Sequence, residues 1–346
     1  MPRYYEETRG GLIHARSIQG VAVGTVQIPE LYCPFAPEIS PHAEAVQQLI
    51  NHWMQERQYL RTEAALRRFN AAKFALLTGR VHPEASFEAV LLVASYMSWL
   101  FMLDDLCDEA SLGRDPVRLR IQLYELIDRM KHPRPLRGDE SRVVVGLTEL
   151  WELMRLRAAP GWTDRFIQTF EGYALACVWE ARNRARNRVP PLTEYIAYRR
   201  HTSAVYAFFA LIELADQVTL PEEVREHLRA LEVRANDGVC WINDISSLEK
   251  EREAGDVHNL VIVLQHEQGL SLQEAIDQAA NLFNSRMREY VELEQRLPSF
   301  GAAIDVPLQR YLRGLQCWVR GNLDWSFESG RYGAVHPPAP LERIAS

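Results

Sequence analysis

The sequence predicts an all-α fold, and three features predict it. From residue 41 onward apolar residues recur at helical spacing, as in Val46, Leu49, Ile50 and Trp53. Beyond residue 40 no stretch of useful length alternates apolar and polar residues, the signature of a half-buried strand. Prolines, glycines and capping residues then cut the chain into segments of helical length.

The elements follow in order. Residues 1–40 are expected to be extended and irregular: Val21–Ile28 is rich in β-branched residues, and prolines at 29, 34, 37 and 41 exclude a helix. Pro41 is placed to open a first helix, and a second is expected over 57–77. Pro83 and Ser86 precede a long, largely apolar helix over 86–108. Asp115-Pro116 starts another, ending near 131, and 132–140 is a loop. Helices follow over 141–157, 163–187 and 192–217, the last opened by Pro190-Pro191 with Thr193 as a cap. Pro221-Glu222-Glu223 begins the next. Ser271 and Glu274 have capping-box spacing for a helix to about 296. The last helix is expected from 306 to 328, stopping at Gly330. The expectation is one all-α domain of about ten helices over 41–332, preceded by an extended segment, 1–40, and followed by a flexible tail, 333–346.

Bulk properties narrow the function. The chain has 346 residues, 47% of them hydrophobic, enough for a large buried core. Its net charge of −7 gives no support to nucleic-acid binding. The five cysteines, Cys33, Cys107, Cys177, Cys240 and Cys317, are scattered, and no pair has zinc or redox spacing, which predicts reduced thiols. The first residues, Met-Pro-Arg-Tyr-Tyr-Glu-Glu, lack the layout of a signal peptide. No uninterrupted apolar run reaches the ~18 residues of a membrane span. Phe87–Leu103 comes nearest but carries Glu88, Ser95 and Ser98. A cytoplasmic protein without stable membrane insertion is expected.

Two polar constellations point to metal chemistry. In the stretch 239–251, Asn243, Ser247 and Glu251 recur at i, i+4 and i+8. Each step of four turns a helix by about 40°, so the three side chains form one stripe. An amide oxygen, a hydroxyl and a carboxylate are hard ligands that suit Mg²⁺. Trp241 and Ile245 point away from the stripe and anchor the helix. The second constellation is Asp104, Asp105, Asp108 and Glu109, directly after the apolar run Trp99–Leu103. Carboxylates gathered at the end of a buried helix are unfavourable unless a cation compensates them. Mg²⁺ rarely sits in an all-protein cage and usually shares its sphere with phosphates. Two such faces therefore suggest a diphosphate held between them. Cations for that anion are available in Lys250, Arg199-Arg200 and Arg331. Aromatic residues, among them Phe101, Trp318 and Trp325, fall in helices around these motifs. Phe101 lies one turn before Asp104, which places it in a cavity beneath the acids.

At this point the motifs resemble a known family. Asp104-Asp105-Leu-Cys-Asp108-Glu109 resembles the aspartate-rich motif of class I terpene synthases, and Asn243-Asp244-Ile-Ser-Ser247-Leu-Glu-Lys250-Glu251 resembles their second metal motif, N-D-x-x-S-x-x-K-E, at every specified position. Arg331-Tyr332 resembles the C-terminal Arg-Tyr pair of the microbial members. Tyr195–Thr202 resembles the segment with their diphosphate-sensing arginine, and Leu31–Pro37 their N-terminal entry segment. The resemblance implies a helical bundle around a deep apolar pocket with three Mg²⁺ at its mouth. It implies Asp104, Asp105 and Asp108 for one metal group and Asn243, Ser247 and Glu251 for the third ion. Lys250, Arg331, Tyr332 and either Arg199 or Arg200 would hold the diphosphate. Choosing Arg199 makes Thr202 and Ser203 the linker and effector positions, with Ser203 where the family often has Gly. Phe101, Trp318 and Trp325 would contact substrate.

The implied reaction is metal-triggered ionisation of a linear isoprenyl diphosphate, farnesyl diphosphate first, followed by cyclisation to a sesquiterpene. The alternatives are a diterpene cyclase acting on geranylgeranyl diphosphate and a prenyl chain-elongating synthase. The latter family carries two aspartate-rich motifs, whereas this chain has Asn/Ser/Glu in the second. A homodimer is the family expectation.

Overall fold

The computed structural model describes residues 21–23, 26–108 and 111–332, so the expected tail at 333–346 and most of the N-terminal segment lie outside it. Among the described residues there are thirteen helices and one short hairpin. The hairpin pairs β1 (Val21–Val23) antiparallel with β2 (Val26–Ile28). The helices are α1 (Ala43–Glu56), α2 (Glu63–Ala72), α3 (Phe74–Val81), α4 (Phe87–Asp108), α5 (Pro116–Lys131), α6 (Arg142–Arg155) and α7 (Trp162–Arg186). They continue with α8 (Leu192–Thr202), α9 (Val205–Ala215), α10 (Glu222–Ala254), α11 (Leu260–Gln268), α12 (Leu272–Gln295) and α13 (Ala302–Glu328).

Capping chemistry sets most of the starts. Asp115 accepts from the amides of Val117 and Arg118 ahead of Pro116, and Ser271 with Glu274 closes a full capping box on α12. Asn259 caps α11, a helix that the sequence did not announce. Thr193, expected as a cap, lies inside α8, whose N-cap is Pro191. Helix α13 begins four residues earlier than expected and carries Pro307 inside it.

Two expected helices are each split by one left-handed residue. The segment 57–77 becomes α2 and α3, broken at Lys73 with φ +51°. The segment 192–217 becomes α8 and α9, broken at Ala204 with φ +55°. Left-handed backbone is costly for residues with a Cβ, so neither Lys nor Ala signals it in a sequence.

Helix α4 is the inner helix, packed by α1, α3, α6 and α9. By length and composition Phe87–Asp105, with mean hydropathy 1.4, is apolar enough to cross a membrane, more than the reading of its polar residues allowed; 61% of the stretch is buried inside the bundle. Helix α10 is flanked by α12 and α13, and α13 lies along α3. Gly321 permits that last contact: a Cβ there would stand 2.9 Å from Arg80 Cβ and 3.1 Å from the Arg80 backbone carbon. The end of α13 is then tied down. The Gly330 amide donates to the Ala71 carbonyl at 2.8 Å, and Lys73 Nζ donates to the Glu328 carbonyl at 3.3 Å. The joint between α2 and α3 thus anchors the segment that leads into Arg331.

Gly321→Leu should push α13 off α3 and destabilise the protein by about 1–3 kcal/mol, the usual cost of overpacking. Urea unfolding followed by circular dichroism measures it, and an unchanged midpoint would show that the contact yields.

Candidate active site

Helices α4, α7, α10 and α13, with the break between α8 and α9, wall a cavity of about 470 Å³. Its lower lining is apolar and aromatic: Leu77, Met97, Leu100, Phe101, Val205, Phe208, Trp318 and Trp325. Its mouth is polar and carries Asp104, Asp105, Glu180, Arg199, Asn243, Lys250, Glu251, Arg331 and Tyr332. An apolar chamber with convergent polar groups at one end is the common form of a small-molecule site.

The two metal-type motifs face each other across this mouth. Asp104, at the end of α4, is half-buried, while Asp105 is exposed. Burial pushes the Asp104 carboxyl up to about 6, with further push from Asp105 and Glu180. On α10, burial raises the Glu251 carboxyl to about 8, and Asp244 adds to the rise. Both are carboxylates in want of a cation. With the Asn243 amide and the Ser247 hydroxyl they form an all-oxygen donor set, which fits a hard divalent ion. Among the described residues no three His, Cys, Asp or Glu side chains converge as a self-sufficient metal cage.

Asp108 is the last residue of α4; its side chain and Glu109 lie outside the described part. Ser247 is on the stripe but does not line the cavity, and its hydroxyl donates to the Asn243 carbonyl at 2.7 Å. Lys250 stands exposed at the rim.

The paired arginines divide cleanly. Arg199 faces the cavity, with Nη2 donating to Asn243 Oδ1 at 2.7 Å and Nε to Asp244 Oδ1 at 2.9 Å. Arg200 turns away and clamps Asp237 with Nε at 2.6 Å and Nη2 at 2.9 Å. Thr202 and Ser203 both line the cavity, but the residue held in the left-handed conformation is Ala204. The demand for a glycine-like backbone therefore falls one residue beyond Ser203.

The C-terminal pair spans the two motifs. Arg331 Nη2 donates to Asp105 Oδ1 at 2.9 Å, with its guanidinium 5.0 Å from the Phe101 ring centre. The Tyr332 hydroxyl accepts from Asn243 Nδ2 at 2.5 Å, and its ring packs edge-on to Trp325.

Several residues here were not assigned from sequence. Asp244 is fully buried and collects donors from Tyr195 Oη at 2.5 Å, Arg199 Nε and the Leu260 amide at 3.0 Å. Asn259 ties the Asp244 carbonyl to Glu251 Oε2, at 2.6 and 2.8 Å. At the rim, Arg184 pairs with Asp256 at 2.7 Å, and Asp256 meets His258 Nδ1 at 2.8 Å. Asp244 lay inside the metal motif and carried that much signal; Arg184, Asp256 and His258 carried none.

The chain is similar to known proteins in sequence and in fold. Residues 95–289 match the family model described as terpene synthase family 2, C-terminal metal binding. The chain belongs to the terpene synthase family. This terpene synthase is 34% identical over 306 residues to germacrene A synthase of Nostoc punctiforme, covering 88% of this chain and 94% of that one. It is 37% identical over 308 residues to the (+)-T-muurolol synthase of Roseiflexus castenholzii, again over 88% and 94%. The crystal structure of SVS_A2, a protein from ancestral sequence reconstruction, superposes with a TM-score of 0.79 at 27% identity, over 91% of this chain and 96% of that one. The fold is the class I helical fold, and the matched domain is one that binds a divalent metal.

The raised carboxyls give a signed pH dependence. Folded Glu251 holds its proton to about pH 8, against an ordinary glutamate value of 4.5, so the folded state binds more protons than the unfolded chain between those limits. Its contribution is present at low pH and lost as pH rises. In chelator, Glu251→Gln should therefore gain thermal stability relative to wild type between pH 5 and 8.5. A pH-independent difference in melting temperature would show that Glu251 titrates normally.

Proposed function

We propose that this terpene synthase ionises farnesyl diphosphate in a Mg²⁺-dependent step and cyclises the resulting cation to a sesquiterpene. One observation carries the reading: two oxygen-ligand helix faces and a set of cations meet at the polar mouth of a single apolar chamber. The Roseiflexus relative supports the chain length, since it is a (2E,6E)-farnesyl diphosphate-cyclising enzyme.

Asp104, with Asp105 and Asp108, would hold one group of Mg²⁺ ions, and Asn243, Ser247 and Glu251 would hold another, three ions in all. Held by these residues, Mg²⁺ would supply the positive charge that makes a diphosphate a better leaving group. Lys250, Arg199, Arg331 and the Tyr332 hydroxyl donate hydrogen bonds to the diphosphate oxygens. These donors sit where negative charge grows as the C–O bond breaks, so they favour the departing group over the intact ester. Arg331 and Tyr332 reach from α13 to both metal helices and close the chamber against water. Phe101, Phe208, Trp318 and Trp325 line the chamber below, and their rings stabilise the migrating positive charge.

Incubation with geranyl, farnesyl and geranylgeranyl diphosphate plus Mg²⁺, followed by gas chromatography with mass spectrometry, tests the reading. Cyclic C15 products from farnesyl diphosphate are expected; no consumption of any of the three would overturn it. The arginines offer a second test. Arg199→Ala should lower kcat/KM by about a hundredfold or more, as expected for a transition-state donor. Arg200→Ala should chiefly lower thermal stability, because it leaves Asp237 with Arg286 as its remaining partner at 3.0 Å. Equal kinetic losses would mean that both arginines serve the diphosphate.

A further inference from the structure

The polar face of α10 does not end at Asn243. Cys240 lies one turn earlier on the same face and Asn236 one turn before that, so the steps run 236, 240, 243, 247, 251. Asn236 has no exposed surface and sits about 10 Å along the helix axis from Asn243, too far to share a metal. A buried amide is costly unless its hydrogen bonds are made. Those of Asn236 go to the break between α8 and α9. Its Nδ2 donates to the Arg200 carbonyl at 2.8 Å, and its Oδ1 accepts from Cys240 Sγ at 3.0 Å. The Ser203 hydroxyl lies 3.2 Å from Asn236 Oδ1 and accepts from the Val205 amide, the first of α9, at 3.2 Å.

The α8–α9 break is thus tied to α10 twice. The outer tie runs from Arg199 to Asn243 and Asp244, and the inner tie runs from Arg200 and Ser203 to Asn236. Between them stand Thr202, Ser203 and Ala204, all on the cavity wall. This is the C-terminal end of α8, where the helix dipole presents its negative pole to the chamber. Ala204 holds a left-handed conformation there that its own side chain disfavours.

We propose that Asn236 is a positioning residue for cyclisation: it holds the α8–α9 break so that the negative end of α8 stays aimed at the allylic cation while Arg199 engages the diphosphate. The inference rests on the cyclase reading above. With the inner tie gone, the break is free to shift, ring closure slows, and water captures the allylic cation first. Water then gives its oxygen to the allylic carbon and a proton to solvent, and acyclic alcohols appear.

The test compares wild type with Asn236→Leu, of similar volume and without hydrogen bonds, using farnesyl diphosphate and Mg²⁺. The expected result is kcat lower by about tenfold with KM little changed. The share of farnesol and nerolidol among the products should rise while the circular dichroism melt stays cooperative. A folded variant with unchanged kcat and product ratio would overturn the proposal. Should the Leu variant not fold, Ser203→Ala removes one leg of the same tie, and an unchanged product ratio there overturns it equally. Wild type is the control for the underlying reading: if it forms no cyclic product, the cyclase reading falls and this inference with it, whereas an active wild type beside an unaltered variant sinks this inference alone.

Discussion

The carboxylate of Asp244 is the joint on which the site turns. It is wholly buried, and its charge is met by Tyr195 from α8, Arg199 from α8 and the first amide of α11. A buried charge of this kind is tolerated only when paired and hydrogen-bonded, so these elements cannot drift apart without a large cost. The same hub sets the direction of Arg199, holds the face of α10 that carries Asn243 and, through Asn259, steadies Glu251. Removing Asp244 would therefore loosen Arg199, the Asn259–Glu251 link and a helix junction together.

The mouth and the floor of the chamber obey opposite rules. At the mouth, burial strengthens every charge interaction and also makes each uncompensated carboxylate expensive, as the raised Asp104 and Glu251 carboxyls record. The floor holds Phe101, Trp318 and Trp325, whose rings offer a cation only diffuse negative charge and no proton acceptor of strength. The first environment favours breaking a bond to an anion, and the second favours keeping a cation alive.

What the sequence made legible was what depends on local periodicity. The Asn243–Ser247–Glu251 stripe follows from helical spacing alone, and so does the place of Phe101 beneath Asp104. What it hid depends on packing between distant segments. Arg199 and Arg200 stand about 100° apart on one helix, and only the neighbours of α8 decide which enters the cavity. The breaks at Lys73 and Ala204 were illegible for a related reason: residues with a Cβ carry no mark of left-handed backbone, and tertiary contacts enforce it. The hub at Asp244 joins Tyr195 and Leu260 across 49 and 16 residues, beyond any periodic signal.

The unbroken course of α10 has one more consequence. From Asn236 to Glu251 are fifteen steps of continuous helix, about 22 Å of stiff rod. Both ends of that rod touch the chamber, one through the α8–α9 break and one through the mouth. The rod therefore works as a ruler. It fixes how far the polar mouth lies from the α8–α9 break, whatever shape the floor between them takes. Side chains of the floor can change the contour of the chamber, but its span is written into the length of a helix.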